Sequence, residues 1–395
     1  MHYPLENIKV LDMTRVLAGP YCTMVLADLG AEVIKLESPG TGDDSRAFGP
    51  YIQDESAYFM SLNRNKESFT LNLKNEKAKE IFKELIKKVD VVVENFKPGT
   101  MEKLGLGYDV LKELNPQLIY AASSGFGHTG PYSTRPAYDG VIQAMGGIMS
   151  ITGQKGGEPT RVGPSVADIF SGLFTAIGIL SSVNKRSFTG VGAKVDISML
   201  DCQVGILENA IARYFVTGNS PKPAGNKHSS IVPFEPFDTS DGKIMVAAGN
   251  DKLFAMFCKE LGVPELAKDE RFVTNPLRNQ NYDELRPLIA EQMLKRSTAE
   301  WKVALIEAGV PSGPINNVEM VVTDEQVLAR NMIQEIDHPT IGKSKLPGIP
   351  IKISDVDDNI RFAAPTLGQH NAKILGEYLG YSEEEVEKLK EGGVL

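Results

Sequence analysis

The sequence alternates short apolar segments with helical patterns, and this alternation restricts the possible folds more than any other feature does. The apolar segments are typical of β-strands and lie at 8–13, 31–37, 89–93, 118–123 and 194–199. At least three of them deliver polar or glycine-containing loops to one edge of the predicted sheet. Strands that alternate with helices pair in parallel, because each helical crossover returns the chain to the same end of the sheet. We therefore predict an α/β fold built on an open, doubly wound, parallel sheet.

The length of the chain predicts more than one domain. With 395 residues, and about 150 residues in an ordinary domain, we expect two or three. The best linker candidate, 218–228, is rich in Pro, Gly, Asn and Lys, which favours irregular structure. It divides a large Rossmann-like domain at 1–220 from a smaller α+β domain at 225–325. The smaller domain is predicted to contain a hairpin around Asp241–Gly242 and helices at 253–261, 282–294 and 298–308. In the remaining tail, short strands are predicted at 351–353 and a helix near 371–379.

Composition and charge argue against several classes of protein. The net charge of −9 argues against broad nucleic-acid binding, although a local basic pocket remains compatible with it. No apolar run reaches the roughly 18 residues that a membrane span needs. The N-terminal residues lack the basic and apolar regions of a secretory signal, so we expect a cytoplasmic protein. The three cysteines, Cys22, Cys202 and Cys258, are scattered, which predicts reduced thiols and no metal site.

The first strand, helix and strand resemble a dinucleotide-binding unit, with Glu37 as the acid at the end of the second strand. However, the first turn has only Gly19 where that fingerprint requires three glycines. The geometry of the unit is therefore predicted, whereas a nicotinamide cofactor is not.

A long apolar helix with one carboxylate is predicted to start after Gly163–Pro164. Its apolar positions recur at steps of three and four, which predicts a well-buried helix: Val166, Ile169, Phe170, Leu173, Phe174, Ile177 and Leu180. Asp168 lies in the first turn, where the helix dipole favours an ionised carboxylate. Ser171, Gly172 and Thr175 continue its face and are small enough to let another group approach closely. Asp168 is therefore either an ordinary N-terminal charge or cap, or a reactive carboxylate.

Ordered motifs along nearly the whole chain resemble those of one enzyme family. They lie at 11–20, 30–37, 93–99, 135–139, 224–228, 237–242, 313–314 and 364–370, with Asp168 among them. Together they are similar to the family III CoA-transferases, the family of formyl-CoA:oxalate and carnitine CoA-transferases, which also includes α-methylacyl-CoA racemases. The resemblance implies a small domain inserted before a C-terminal return, 326–395, to the large domain. It also implies two identical chains threaded through each other as interlocked rings.

The resemblance further implies an activity and assigns roles to residues. It implies transfer of CoA from an acyl-CoA thioester to a free carboxylic acid, with coenzyme A as substrate and no tightly bound cofactor. Asp168 matches the aspartate that forms a mixed anhydride and then an aspartyl-CoA thioester, a role that needs a desolvated carboxylate. Residues that match CoA contacts are Val16, Ala18, Leu71, Lys74, Asn95, Phe96, Lys103, Tyr138 and Met199. Lys74 and Lys103 suit the adenosine phosphates but could equally be solvated surface, and Leu71 and Phe96 could equally be core.

The substrate pocket is less well defined by the sequence than the nucleophile. Oxalate-using members carry Gln where this chain has Leu17, and a run of four glycines is absent, so formyl-CoA:oxalate exchange is not expected. Ser38 stands where some members have an adenine-stacking Arg. His128 and His228 either line the pocket or hydrogen-bond their own loops. The sequence does not identify the acyl donor or the acceptor acid.

Two alternatives to the transferase remain open. A racemase needs a second base, which in this family is a His at the position of Tyr138, and a phenol with a pKa of about 10 is a poor base at neutral pH. A CoA-binding protein without catalytic activity would keep the sheet but would not need Asp168. Besides itself, the expected partners are an acyl-CoA and a carboxylic acid, with neither nucleic acid nor membrane.

Overall fold

The computed structural model describes residues 2–395. The strands are β1 Lys9–Asp12, β2 Glu32–Glu37, β3 Tyr51–Ile52, β4 Glu55–Ser56, β5 Lys66–Thr70, β6 Val91–Glu94, β7 Ile119–Ser124, β8 Ala193–Ser198, β9 Phe234–Asp238, β10 Lys243–Ala247, β11 Ser312–Pro314, β12 Ile333–His338 and β13 Gly342–Pro347. The helices are α1 Ala18–Asp28, α2 Ala57–Leu62, α3 Glu76–Ile86, α4 Thr100–Lys103, α5 Tyr108–Leu114, α6 Asp139–Met145, α7 Ile148–Ile151, α8 Val166–Thr189, α9 Met199–Ile206, α10 Asn209–Thr217, α11 Asp251–Glu260, α12 Asn275–Gln280, α13 Tyr282–Met293, α14 Thr298–Glu307, α15 Val318–Thr323, α16 Glu325–Ala329, α17 Asn371–Leu379 and α18 Glu383–Glu391.

Six parallel strands form the main sheet, in the order β5-β2-β1-β6-β7-β8. The predicted parallel α/β sheet is therefore confirmed, including the strand predicted at 194–199. The central strand β1 pairs with β2 on one side and with β6 on the other. Apolar residues alternate between two cores: Leu11 and Ile34 face one, whereas Val10 and Val33 face the other. Both faces of the sheet are thus buried, as parallel sheets require.

The chain divides into two compact units. One comprises residues 1–149, 161–219 and 325–395, and the other comprises 150–160 and 220–324. The segment 150–160, which the sequence prediction assigned to the large domain, therefore lies in the second unit.

The second unit contains a three-stranded antiparallel sheet, β11-β10-β9, covered by helices. Asp238 pairs with Lys243 across the predicted Asp241–Gly242 turn. The three predicted helices are present as α11, α13 and α14. Trp301 is buried in the core of this unit, and its indole N–H donates to the Met293 carbonyl at 2.7 Å.

Helix α8 differs from its prediction. It buries its small residues, among them Ser171, Gly172 and Thr175, whereas two members of the predicted apolar stripe, Phe174 and Ile177, are exposed. The prediction of a helix buried by that stripe was therefore wrong. The cause is close packing on α1 and on the sheet, which only small side chains allow.

By length and composition, α8 could also cross a membrane, whereas no membrane-spanning run was predicted from the sequence. The core helix of a soluble protein can have the same length and composition, so these two properties do not by themselves indicate a membrane span. In the first unit, α8 packs against α1, β7 and β8.

In the tail, the predicted strands at 351–353 were wrong, since this segment has no regular structure. A hairpin of β12 and β13 lies upstream of it instead. The predicted terminal helix is α17, and the C-terminal segment packs on the main sheet through Ile374 and Leu375.

Candidate active site

The main sheet has a switch point between β1 and β6, where the crossovers turn towards opposite edges. Ligands of open α/β sheets bind at the carboxyl ends of the strands at such a point. There the loop after β1 is fastened to the loop after β6 by one amide. The backbone N–H of Arg15 donates to Asn95 Oδ1 at 2.9 Å, and Asn95 Nδ2 donates to the Arg15 carbonyl at 2.8 Å. Asn95, a predicted CoA contact, thus holds the two loops together.

The crossing of α1 and α8 brings Asp168 to this switch point. A Cβ atom on Gly172 would lie 2.6 Å from the Ala18 carbonyl oxygen and 3.3 Å from the Cys22 nitrogen. Because only glycine permits so close a crossing, the start of α1 and the first turn of α8 lie against one cavity. The sequence predicted a close approach at these small residues, and the approaching group is α1.

Asp168 does not cap its own helix. The cap is provided by Asp139 of α6, whose Oδ1 accepts the Ala167 backbone N–H at 3.0 Å. Asp139 Oδ2 accepts Gln143 Nε2 at 2.8 Å. Within residues 2–395, the Asp168 carboxylate has neither a hydrogen bond nor an ion pair. The alternative prediction that Asp168 is an N-terminal cap was therefore wrong. It is thus a carboxylate with no structural partner.

Burial raises the pKa of Asp168 to about 7, and the nearby Asp139 carboxylate adds to this effect. The sequence predicted that the helix dipole would hold Asp168 as a carboxylate, but burial and the like charge of Asp139 outweigh the dipole and raise its pKa instead. The pKa of Tyr58 is also raised, to about 12, first by burial and then by Asp168, Asp43 and Asp139. Tyr58 consequently stays a neutral hydrogen-bond donor.

Three cavities lie around the switch point. The Asp168 cavity, of about 820 Å³, is lined by Val16, Asp44, Ala47, Phe48, Tyr58, Tyr138, Asp139, Gly140, Arg161, Ser165 and Asp168. The narrow cavity, of about 250 Å³, is lined among others by Arg15, Val16, Leu17, Ala18, Asn95, Phe96, Arg135, Tyr138, Asp168 and Met199. The strand-end cavity, of about 620 Å³, is lined among others by Met13, Arg15, Ser38, Leu71, Lys74, Phe96 and Leu104. The first two cavities share Asp168, and the last two share Arg15 and Phe96, so the three cavities are neighbours.

Most of the predicted CoA contacts line these cavities. Val16, Ala18, Asn95, Phe96, Tyr138 and Met199 line the narrow cavity, together with Leu17 and Asp168. Leu71 and Lys74 line the strand-end cavity. Lys103, exposed at the end of α4, lines none of the three, although its neighbour Leu104 does.

The two candidate histidines bond to their own surroundings. The backbone N–H of His128 donates to Asp196, and its Nδ1 lies 3.3 Å from Lys194 Nζ. His128 lines none of the three cavities. His228, in the second unit, accepts the Ser230 and Ile231 backbone N–H groups at its Nδ1 and stacks on Phe234.

Glu37, the acid that resembled a dinucleotide ligand, is already engaged. It forms an ion pair with Arg46 at 2.7 Å and accepts the Ser68 hydroxyl at 2.6 Å. The side chain is buried, so it would not be free to bind a ribose.

Tyr58 and Arg161 also line the Asp168 cavity, and neither was predicted from the sequence. Arg161 is the only cationic side chain among the described residues that line this cavity, and about half of it is exposed (49%). Its Nε lies 3.5 Å from Asp139 Oδ2, at the outer limit of a hydrogen bond. No pattern in a single sequence distinguishes this arginine from a solvated one. Among residues 2–395, no cluster of three or more His, Cys, Asp or Glu residues could hold a metal ion.

The fold and this site define an α/β protein with an unpaired carboxylate at the switch point of its sheet. The model of CoA-transferase family III matches residues 5–371. Succinyl-CoA:glutarate CoA-transferase of Mus musculus is 42% identical over 99% of this chain and 90% of its own length. Acetyl-CoA:oxalate CoA-transferase of Acetobacter aceti is 44% identical over 95% of this chain and 96% of its own. The crystal structure of a CAIB/BAIF family protein from Brucella suis superposes with a TM-score of 0.85 at 42% identity, covering 96% of this chain and 100% of that one.

This chain belongs to CoA-transferase family III and is an enzyme. The predicted family is confirmed, and the general activity it supports is transfer of CoA between acyl-CoA thioesters and carboxylic acids.

Proposed function

We propose that this enzyme moves CoA from an acyl-CoA to a dicarboxylic acid through a covalent intermediate on Asp168. The observation that carries the proposal is the unpaired Asp168 carboxylate, which lines both the Asp168 cavity and the narrow cavity. A carboxylate without hydrogen bonds or a counter-ion keeps its lone pairs available for attack, and burial strengthens it as a nucleophile. Below a pH of about 7 it would be protonated and inactive.

The reaction consists of four balanced acyl-transfer steps. Asp168 attacks the thioester carbonyl and the C–S bond breaks. This step releases the CoA thiolate and leaves a mixed anhydride between Asp168 and the donor acyl group. The thiolate then attacks the aspartyl carbonyl, which releases the donor acid and leaves an aspartyl-CoA thioester. The acceptor carboxylate attacks that thioester and forms a second anhydride with loss of the CoA thiolate. Finally, the thiolate attacks the acceptor's carbonyl carbon, which yields the new acyl-CoA and regenerates the Asp168 carboxylate.

We propose that CoA extends from the narrow cavity into the strand-end cavity. The narrow cavity suits the thiol end of a long ligand, because apolar Val16, Leu17, Ala18 and Met199 line it beside Asp168. The strand-end cavity has Lys74 for a phosphate and Leu71 for apolar cover. Lys103 keeps its role as a predicted phosphate contact.

The dicarboxylate class rests on two observations. The named acids of the two relatives above, glutarate and oxalate, are both dicarboxylic. In this chain, Arg161 supplies a cation on the Asp168 cavity for the second carboxylate, and its existing contact with Asp139 is weak. Leu17 in place of a glutamine favours acids with an apolar spacer over oxalate.

Chemical trapping of Asp168 tests the mechanism. Incubation with succinyl-CoA in the absence of an acceptor should leave a thioester that hydroxylamine converts to a hydroxamate on Asp168, detected by peptide mass spectrometry.

Substitution of Asp168 is a second test. Asp168→Asn should bind CoA but lose turnover by several orders of magnitude. Asp168→Glu should also fail, because near-attack geometry tolerates little displacement. Asp109→Asn, an exposed carboxylate in the first turn of α5, is the matched control and should keep full activity. More than about a tenth of wild-type activity in Asp168→Asn, without deamidation, is too much for a lost covalent nucleophile.

The site favours transfer over racemisation. No histidine is among the described residues that line the Asp168 cavity or the narrow cavity. Tyr138, at the position where a racemase carries its histidine, is 77% exposed. We expect no α-deuterium to enter a 2-methylacyl-CoA in deuterated water; steady incorporation would favour the racemase.

We also propose that the enzyme is a homodimer. Large apolar side chains of the first unit are exposed in the single chain, including Phe174, Ile177 and Phe188 on α8 and Phe215 and Val216 on α10. Exposed apolar surface on this scale is typical of an interface. A cytoplasmic location also stays a prediction, which cell fractionation would test.

A further inference from the structure

Val16 has a backbone conformation that valine rarely adopts. Its φ is +68°, in the left-handed region, where a β-branched side chain is strained. Val16 lines both the Asp168 cavity and the narrow cavity, and it directly precedes Leu17, the N-cap of α1. A strained residue at a catalytic cavity persists only where its surroundings impose the conformation.

A buried carboxylate holds Val16 in this conformation. The Val16 backbone N–H donates to Asp43 Oδ1 at 3.0 Å, and the same oxygen accepts the Ser45 N–H at 2.9 Å. The other oxygen, Oδ2, forms an ion pair with Lys35 Nζ at 2.8 Å, and both side chains are fully buried. Burial acts to raise the pKa of Asp43, but Lys35 and the backbone donors outweigh it and hold that pKa below its usual range. Asp43 is therefore a fixed anion.

The same ion pair also holds the start of the loop. Lys35 Nζ donates to the Thr14 carbonyl at 2.9 Å, two residues before Val16. Between them, Arg15 is fastened by Asn95. The loop is thus fixed at three consecutive residues, and the strained residue is the last of them.

We propose that Asp43 and Lys35 are positioning residues for CoA transfer. By imposing the left-handed conformation on Val16, they set the start of α1 beside Asp168. Asp43 lines the strand-end cavity, but its side chain is fully buried and both of its oxygens are bonded to Lys35 or to backbone N–H groups. The proposed role of the pair therefore runs through Val16 and not through contact with the substrate. This inference rests on the proposed reaction at Asp168 and adds the device that shapes its cavity.

A double-mutant cycle with Val16→Gly tests the device. Asp43→Asn keeps the shape and an oxygen acceptor but removes the charge that pairs with Lys35. We expect it to lower kcat/KM at least tenfold, mainly through kcat. Glycine adopts a left-handed φ without strain, so in the Val16→Gly background the same substitution should cost less than threefold. An equal loss in both backgrounds would overturn the proposal, because Asp43 would then act independently of Val16.

Asp28→Asn is the matched control for a purely structural effect. It disrupts another buried ion pair of the first unit, Arg64 Nη2 to Asp28 Oδ2 at 2.7 Å, which lines none of the three cavities. It should lower Tm as Asp43→Asn does, yet change kcat/KM less than twofold. If Asp43→Asn likewise lowers only Tm, Asp43 is structural and the inference is wrong.

A second variant covers the case in which Asp43→Asn does not fold. Asp43→Asn combined with Lys35→Met leaves no unpaired buried charge. The effect of this double substitution on kcat/KM is compared with and without Val16→Gly.

Trapping on the wild-type enzyme distinguishes a failure of this inference from a failure of the proposed function. If the wild type forms no hydroxamate on Asp168, the proposed reaction fails; if it does and the cycle shows no coupling, only the positioning role fails.

Discussion

At the scale of single residues, the site is defined by which carboxylates are paired and which is not. Asp43 and Glu37 are buried in ion pairs with Lys35 and Arg46. Asp168 has no such partner, and its pKa is raised to about 7. Pairing stabilises an anion but also lowers its nucleophilicity, so the unpaired carboxylate is the one available for covalent chemistry.

The raised pKa of Asp168 predicts the pH dependence of the reaction. Because the nucleophile must be ionised, kcat/KM should rise with pH through about 7. Burial also raises the pKa of Glu94 to about 7, so a variant is needed to identify the group. Asp139→Asn removes the charge that contributes to the shift while keeping an oxygen to cap α8. In this variant the rise of kcat/KM should occur at lower pH. If the rise stays at the same pH, a group other than Asp168 causes it.

The free energy of unfolding should also depend on the ionisation of Asp168. Its contribution should fall as pH rises, whereas kcat/KM rises. The folded-state pKa is raised from 3.8 to about 7, so the folded protein binds this proton more tightly than the unfolded chain does. The contribution of Asp168 to stability therefore falls as pH rises between these values. Asp168→Asn should raise the free energy of unfolding by about 1–3 kcal/mol at pH 8 and by much less at pH 4. Urea titrations at the two pH values measure this difference, and equal effects would contradict the raised pKa.

Arg161 should determine the preference for a second carboxylate. Arg161→Met should lower kcat/KM for glutarate by about 10–100-fold, the value of one charge-assisted hydrogen bond. Glutaramate, in which an amide replaces one carboxylate, should lose less than threefold. Arg135→Met, a matched change in the narrow cavity, should not separate the two acids. Equal losses on both acids in Arg161→Met would exclude recognition of the distal carboxylate by Arg161.

At the scale of elements, the crossing of α1 and α8 positions the nucleophile. Gly172→Ala would place a methyl group 2.6 Å from the Ala18 carbonyl, and backbone cannot easily move aside. We expect a loss of about 1–3 kcal/mol in stability, together with lower kcat/KM because the start of α1 moves away from Asp168.

The control is Gly376→Ala on α17, where the new methyl group would lie 3.6 Å from the Tyr381 carbonyl. This distance is ordinary contact, so the change should be neutral or stabilising by up to about 1 kcal/mol. Thermal unfolding of both variants measures the difference. If both glycines tolerate alanine equally, close packing at Gly172 is not what places Asp168.

The elements that the sequence predicted well are those with an uninterrupted apolar pattern. The apolar residues of α3, including Ile81, Phe82 and Leu85, recur at helical spacing in the sequence, and they are buried. Strand β5 was missed because its buried positions include Lys66 and Ser68. Lys66 can be buried because its Nζ pairs with Asp12 at 3.1 Å and also donates to Thr23 and Asn63. Asp12 lies 54 positions away in the sequence. Hydrophobic periodicity contains no information about such a pair.

The same limit applies to the site. The placement of Asp168 on a helix start followed from local pattern, and its assignment as nucleophile came from the family resemblance. Its lack of a partner did not follow, because Asp139 caps α8 from another helix. The left-handed conformation of Val16 could not be predicted from the sequence either. It depends on a hydrogen bond from the Val16 backbone N–H to Asp43, which lies 27 positions away.

At the scale of the whole molecule, α8 links the site to the proposed dimer. Its small-residue face packs on α1 and positions Asp168, whereas Phe174, Ile177 and Phe188 on the same helix are exposed. Periodicity predicts that every apolar position of this helix lies in the core of one chain. The exposed positions are instead explained if a second chain covers them, which would remove apolar surface from water at about 25 cal/mol per Å².

The last prediction follows from the interlocked dimer that the family resemblance implies. Two chains that merely touch dissociate on dilution, whereas interlocked chains can separate only when a ring opens, which requires unfolding. We therefore expect a dimer that persists at nanomolar concentration and whose Tm rises with protein concentration. Light scattering measures the size of the assembly at high protein concentration, and fluorescence correlation measures it at nanomolar concentration.

Val216→Asp on α10 tests where the partner lies. This residue is 86% exposed in the single chain. The substitution should lower Tm if a partner covers the residue, because a buried carboxylate is costly. The matched change Val110→Asp, at an exposed position of α5, should leave Tm nearly unchanged. A folded monomer at nanomolar concentration would argue against the interlocked assembly, while a dimer insensitive to Val216→Asp would place the interface elsewhere.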